Sequence, residues 1–86
     1  MITPYHIKIA PAAAHQIGEL PSKNQKSIIK SIETLAINPR PIGASRIEGL
    51  TGLYLQHVSQ AKLIYKIENQ EILILIVKYY GELYPA

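Results

Sequence analysis

His57, Lys62, Lys78, Tyr80, Tyr84 and Arg46 carry the side chains in this sequence best suited to a phosphodiester. Histidine can take or give a proton near neutral pH, because its ordinary pKa is about 6.5. Lysine and arginine offset phosphate charge, lysine as a point charge and arginine as a bidentate fork. A phenol can stack on any base, since every base has a π-face. His57, Lys62 and Lys78 fall on β-type runs at 53–58, 61–67 and 72–79, and Tyr80 and Tyr84 follow the last run. This mix suits phosphodiester handling better than it suits a metal or a nucleotide cofactor. Each residue also has a structural reading. A strand histidine is often only exposed, a strand lysine often guards an edge, and tyrosines near a chain end often pack half-buried. Tyr54 and Tyr65 read as core, and His6 and His15 as surface.

Composition removes several function classes. The chain has 86 residues and no cysteine, so it holds neither a disulfide framework nor a thiolate metal site. All of its acidic residues are glutamate, which disfavours calcium loops and aspartate-based two-metal sites. No GxxxxGK loop, GxGxxG or HExxH is present, and no histidines pair at metal spacing. No metal and no cofactor is expected. The net charge of +3 permits an anionic partner, or simply a solvated basic surface. No signal peptide is visible, and the apolar run 72–77 is far short of the ~20 residues of a membrane span. The expectation is one cytoplasmic domain over 1–86, without membrane contact.

The elements that position these groups follow from periodicity. Tyr5 to Ile9 alternates with period two, as a half-buried strand does. Pro11 can open a helix, because its missing N–H is unpaired there anyway. Ala13, Ile17 and Leu20 fall on one face of it. Ser22 and Gln25 have capping-box spacing for a second helix. Ile28, Ile29, Ile32, Leu35 and Ala36 form its apolar stripe, with Lys23, Lys26 and Lys30 in solvent. Asn38-Pro39 ends it. Ser45 to Gly49 reads as a short strand or connector. The joints Ser59-Gln60 and Glu68-Asn69-Gln70 then make an antiparallel meander of the later runs, although the first lacks the glycine such turns favour. The run 72–77 is apolar on both faces, which predicts a doubly covered central strand. The fold expected is α+β: an N-terminal strand, a two-helix hairpin, then an antiparallel meander, with the helices packed on one sheet face.

This order resembles the RelE/ParE family of bacterial toxin–antitoxin toxins over nearly the whole chain. The resemblance lies in Leu20-Pro21, Asn38-Pro39-Arg40-Pro41-Ile42-Gly43 and Arg46-Ile47-Glu48-Gly49. It continues in Gly52-Leu53-Tyr54, Lys62-Leu63-Ile64-Tyr65-Lys66-Ile67 and Glu82-Leu83-Tyr84. It implies a toxin that cleaves mRNA in the ribosomal A site without a metal, contacts ribosomal RNA, and is held inactive by a cognate antitoxin. It further implies a working set of His57 as base or acid, Lys62 on the phosphate and Tyr84 orienting the nucleotide. Tyr80, Lys78 and Arg46 are the expected RNA contacts.

The chain departs from the family pattern in its arginines. Leu55 follows the aromatic position where a basic residue is usual, and His57 comes two positions later. Lys62 replaces the usual arginine, and Tyr79-Tyr80-Gly81 replaces the usual His-Arg-Arg. Two alternatives therefore stand beside the ribonuclease: a ParE-like toxin that inhibits gyrase by binding, and a degenerate member that only binds its antitoxin.

Overall fold

The expected order of elements is present in a computed structural model that describes residues 3–81. The first strand, β1, spans His6–Ile9. Pro11 takes the first helical position of α1, Pro11–Gly18, after an extended Ala10. Ala13, Ile17 and Leu20 are buried, as their spacing requires.

The start of α2, Ser22–Leu35, differs from expectation. Pro21 is the cap residue, and no side chain caps this end. The fixed φ of proline starts the helix one residue earlier than the capping box would. The Pro21 carbonyl accepts the Gln25 N–H at 2.8 Å. Gln25 Nε2 instead donates to the Ile17 carbonyl at 3.1 Å and ties the two helices together. The apolar stripe is also narrower than expected. Ile28, Ile32 and Leu35 are buried, while Ile29 is 44% exposed. The face that meets the sheet is centred on the 24-28-32-35 line, and Ile29 lies about 100° round the helix from Ile28.

The strands β2 (Ser45–Arg46), β3 (Leu53–Val58), β4 (Ala61–Glu68) and β5 (Glu71–Tyr79) complete a five-stranded sheet in the order β1-β5-β4-β3-β2. The meander is antiparallel. β1 runs parallel to β5, with Ile7 opposite Ile72, so the sheet as a whole is mixed. Gly52 enters β3 with φ 77°. A Cβ there would lie 2.8 Å from the Ile67 carbonyl oxygen. Glycine lets the backbone approach closely enough for the Gly52 carbonyl to accept the Ile67 N–H at 2.8 Å.

Both helices cover the same sheet face. Leu63, Tyr65, Ile72 and Ile74 on that face are fully buried against Ile28 and Leu35. Burying each such side chain contributes roughly 1.5–3 kcal/mol relative to exposure. The run 72–77 is therefore covered on one face, not on both. Ile76, at 40% exposed, looks out on the open side.

A bulge in β5 decides what else looks out. Tyr65 faces Ile74, but Ile64 faces Ile76, so Leu75 is an extra residue. A one-residue insertion reverses the facing of everything beyond it. Ile72 and Ile74 point to the helices before the bulge, and Val77 does so after it. Lys78 is thereby turned to the open face.

Candidate functional site

The open face gathers the basic residues of the meander into one row. His57 on β3 faces Lys62 on β4, and Lys62 faces Lys78 on β5. Facing residues on antiparallel strands have Cβ atoms about 4.5–5.5 Å apart. The row thus spans neighbouring strands at one end of the sheet, next to the Ser59-Gln60 turn. His57 and Lys78 are exposed, and Lys62 is half-buried.

Tyr80 closes the row. Its hydroxyl lies 3.2 Å from His57 Nδ1. The two rings meet edge to face, 6.0 Å apart at 74°. Nδ1 is engaged by the phenol, so Nε2 is the ring nitrogen left for a ligand. Tyr80 is fixed at its backbone too, where its N–H donates to the Gln60 carbonyl at 3.0 Å.

Charge is distributed unevenly over this face. At the far end Lys8 pairs with Glu71 at 3.0 Å, and Lys66 pairs with Glu68 at 3.5 Å. Among the described residues neither Lys62 nor Lys78 has a carboxylate partner. Leu55, Ile64 and Ile76 separate the two ends. The result is a cationic patch with an imidazole at one edge and an apolar floor beside it. It can hold a phosphate, and it offers a proton carrier next to it. No group of three or more His, Cys, Asp or Glu that could hold a metal ion occurs among the described residues.

Not every sequence candidate joins the row. Arg46 is exposed on the edge strand β2, and its register partner is Tyr54. That places it on the opposite side of the sheet from His57. Tyr84 lies outside the described residues. Asn24 was missed by sequence reasoning. It is 7% exposed on α2, and its Nδ2 donates to the Ser59 carbonyl at 2.6 Å and to Ser59 Oγ at 2.8 Å. Its signal was available: Asn24 precedes Ile28 by four residues, so it is a polar residue on an apolar stripe.

No family model matches the sequence, and a search of curated proteins gives no match. Solved structures do match. The archaeal RelE–RelB complex from Pyrococcus horikoshii OT3 is similar at a TM-score of 0.80 and 23% identity, over 93% of this chain and 98% of that one. The isolated E. coli RelE toxin is similar at 0.77 and 16% identity, over 87% of this chain and 83% of that one. The chromosomal ParDE system from P. aeruginosa is similar at 0.71 and 16% identity, over 91% and 98%. The fold is RelE-like.

In this RelE-like fold the loop after α2 is pinned by tyrosines, as the core reading of Tyr54 and Tyr65 requires. Tyr54 and Tyr65 stack with centroids 5.7 Å apart. Tyr65 donates to the Pro39 carbonyl at 2.9 Å. Arg40 lies over the Tyr54 ring, 5.5 Å from its centroid, and Arg40 Nε donates to the Tyr54 hydroxyl at 2.9 Å. That hydrogen bond holds the guanidinium pKa above its usual value. Burial is the main cause that pushes the Tyr65 phenol up to about 12, with nearby Tyr54 adding to it and Arg40 opposing.

The helix side of the RelE-like fold has a different character. A largely apolar groove of about 420 Å³ runs between β1, α1 and α2, lined by Ile7, Ile9, Ala14, Ile17, Ile29 and Ile32, with Glu33 the one charged residue in its lining. No helix among the described residues is long and apolar enough to cross a membrane.

Proposed function

We propose that this protein is the toxin of a type II toxin–antitoxin pair and that it cleaves mRNA in the ribosomal A site. The observation that carries this reading is the row His57–Lys62–Lys78 on the open sheet face, with Tyr80 against His57. In the reaction, His57 Nε2 takes the proton of a ribose 2′-OH. The freed oxygen attacks the adjacent phosphorus, and the bond from phosphorus to the 5′-oxygen breaks. The leaving 5′-oxygen takes a proton from water, His57 gives its proton back to the resulting hydroxide, and a 2′,3′-cyclic phosphate remains. Lys62 and Lys78 stabilise the negative charge that grows on the phosphate oxygens. Electrostatic help of this kind is worth on the order of 10²–10³ in rate per donor. Tyr80 holds His57 and offers its ring to a base, and Tyr84 orients the nucleotide. Arg46 and the lysines of α2 contact ribosomal RNA backbone, and those contacts weaken with salt. The scheme needs no metal, and its setting is the cytoplasm.

The proposed partner is an antitoxin segment that folds on binding. The groove between β1, α1 and α2 supports this, because its apolar lining suits an amphipathic segment. The complexes among the similar structures support it too.

A second reading has one observation in its favour: the ParDE system is among the similar structures. A ParE-like protein would inhibit gyrase by binding, without chemistry. Purified protein added to programmed ribosomes, with mRNA 5′-ends mapped by primer extension, separates the two. Cuts that appear only on ribosomes and vanish with Lys62→Ala are the expected result. No cuts from a folded protein, followed by inhibition of gyrase supercoiling, would replace the first reading with the second. No effect in either assay would point to a member that only binds its antitoxin.

A further inference from the structure

The Ser59-Gln60 turn joins β3 to β4 with both residues at positive φ, 48° and 62°. Two-residue hairpin turns of this shape normally use Asn-Gly or Asp-Gly, because other side chains crowd the backbone there. Such backbone strain persists only when neighbours over-determine it. Here the neighbour is Asn24. Its amide nitrogen donates to both the carbonyl and the hydroxyl of Ser59. The carbonyl can only accept, so it fixes which way the Asn24 amide points. A buried amide aimed from a helix into a turn is an unusual use of a position in the 24-28-32-35 apolar line.

The turn is also the support of the row's edge. Gln60 gives its carbonyl to the Tyr80 N–H at 3.0 Å. Tyr80 in turn presents its hydroxyl to His57 Nδ1 at 3.2 Å. A connected path therefore runs from Asn24 through the strained turn to Tyr80, and from Tyr80 to the imidazole. His57 itself lies two residues before the turn, so both ends of the His57–Tyr80 contact hang on the same backbone.

We infer that Asn24 is a positioning residue. By holding the Ser59-Gln60 turn at positive φ, it sets Tyr80 against His57 Nδ1 and leaves Nε2 as the working nitrogen. The structural part of this inference is independent of the proposed cleavage; only its activity readout rests on that reading. Displacement of a reacting group by about 1 Å can cost on the order of 10²-fold in rate.

The test compares Asn24→Ala with the same change in a chain whose turn needs no support, Asn24→Ala/Ser59→Asn/Gln60→Gly. Asn-Gly adopts the turn by itself. The first readout is NMR of the His57 ring: the NOE between its protons and those of the Tyr80 ring, and the ring nitrogen shifts that report which nitrogen carries the proton. The expected result is loss of the NOE and a changed nitrogen pattern in Asn24→Ala, with both restored in the triple variant. On programmed ribosomes, kcat should fall on the order of 10²-fold in Asn24→Ala with KM little changed, and should recover in the triple variant. If Asn24→Ala does not fold but the triple variant does, Asn24 acts through the turn, as inferred. An unchanged NOE in Asn24→Ala overturns the inference. So does a triple variant that is unfolded or lacks the ring contact, because Asn24 would then serve helix packing alone. Ring contacts that behave as expected, with no cleavage by the wild-type chain, would leave the positioning intact and remove the ribonuclease reading.

Discussion

Lys62 and Lys78 face each other across β4 and β5, and among the described residues neither has a carboxylate to offset it. Like charges directly opposed on a sheet are destabilising. The same sheet pairs its other open-face lysines, Lys8 with Glu71 and Lys66 with Glu68. The mismatch is thus confined to the end that carries His57 and Tyr80. An anion placed over the row would relieve it. Under the proposed function, stability is given up where phosphate binding needs charge, a trade common at functional sites.

Lys62→Glu is the direct probe of that trade. It puts a carboxylate opposite Lys78 and beside His57. Thermal stability should rise by about 0.2–1 kcal/mol, the range for an opposite-charge cross-strand pair. Cleavage on ribosomes should be abolished in the same variant. A variant that loses both stability and activity would mean that Lys62 is needed for folding, and the trade would not exist.

Deleting Leu75 together with Ile76 should do more damage than deleting Leu75 alone. Leu75 is the extra residue of the bulge, so its loss alone leaves Ile76 opposite Ile64, with Val77 still inward and Lys78 still outward. Loss of both residues brings Val77 opposite Ile64, facing solvent, and Lys78 opposite Leu63, facing the helix-covered core. An uncompensated charge left buried costs about 3–5 kcal/mol, on top of the lost valine. Urea unfolding reads the result. A double deletion about as stable as the single one would show that the facing of Lys78 is not fixed by this pairing.

Gly52→Ala should destabilise by more than the roughly 1 kcal/mol typical of single substitutions. The new Cβ would stand 2.8 Å from the Ile67 carbonyl oxygen, at a φ of 77°. Both terms act against it, and a backbone atom cannot swing aside. Gly18, around which nothing lies within 4 Å, is the control, and alanine there should be neutral or mildly stabilising. Similar urea midpoints for the two variants would remove the close-approach argument.

Tyr65 sets an alkaline limit on stability. Its phenol is pushed up to about 12, chiefly by burial, against about 10 for an exposed tyrosine. Between those values the unfolded chain has lost the proton and the folded chain keeps it. The folded state then binds more protons, so stability falls as pH rises through this window. The contribution is complete below about pH 10 and gone near pH 12. Tyr65→Phe should show a shallower fall in urea midpoint over that range. At neutral pH it should be about 1 kcal/mol less stable, for loss of the hydrogen bond to Pro39. Equal slopes for the two proteins would place the alkaline loss elsewhere.

The sequence by itself determined the elements and much of the row. Period-two alternation and polar joints locate β3 and β4, and a two-residue joint leaves one register, with His57 opposite Lys62. Pro11, Pro39 and the apolar spacings at 13-17-20 and 28-32-35 bound the helices, because proline chemistry and helical period act locally. Lys78 was different. Its run, Ile72 to Val77, is apolar throughout, so no alternation reveals which way any residue points. Only the pairing of β5 with β4 placed Leu75 in a bulge and so turned Lys78 outward. The parallel pairing of β1 with β5 and the Asn24–Ser59 contact, 35 residues apart, were also beyond local reading. Both join segments distant in the chain, and such contacts are chosen by how the whole core packs.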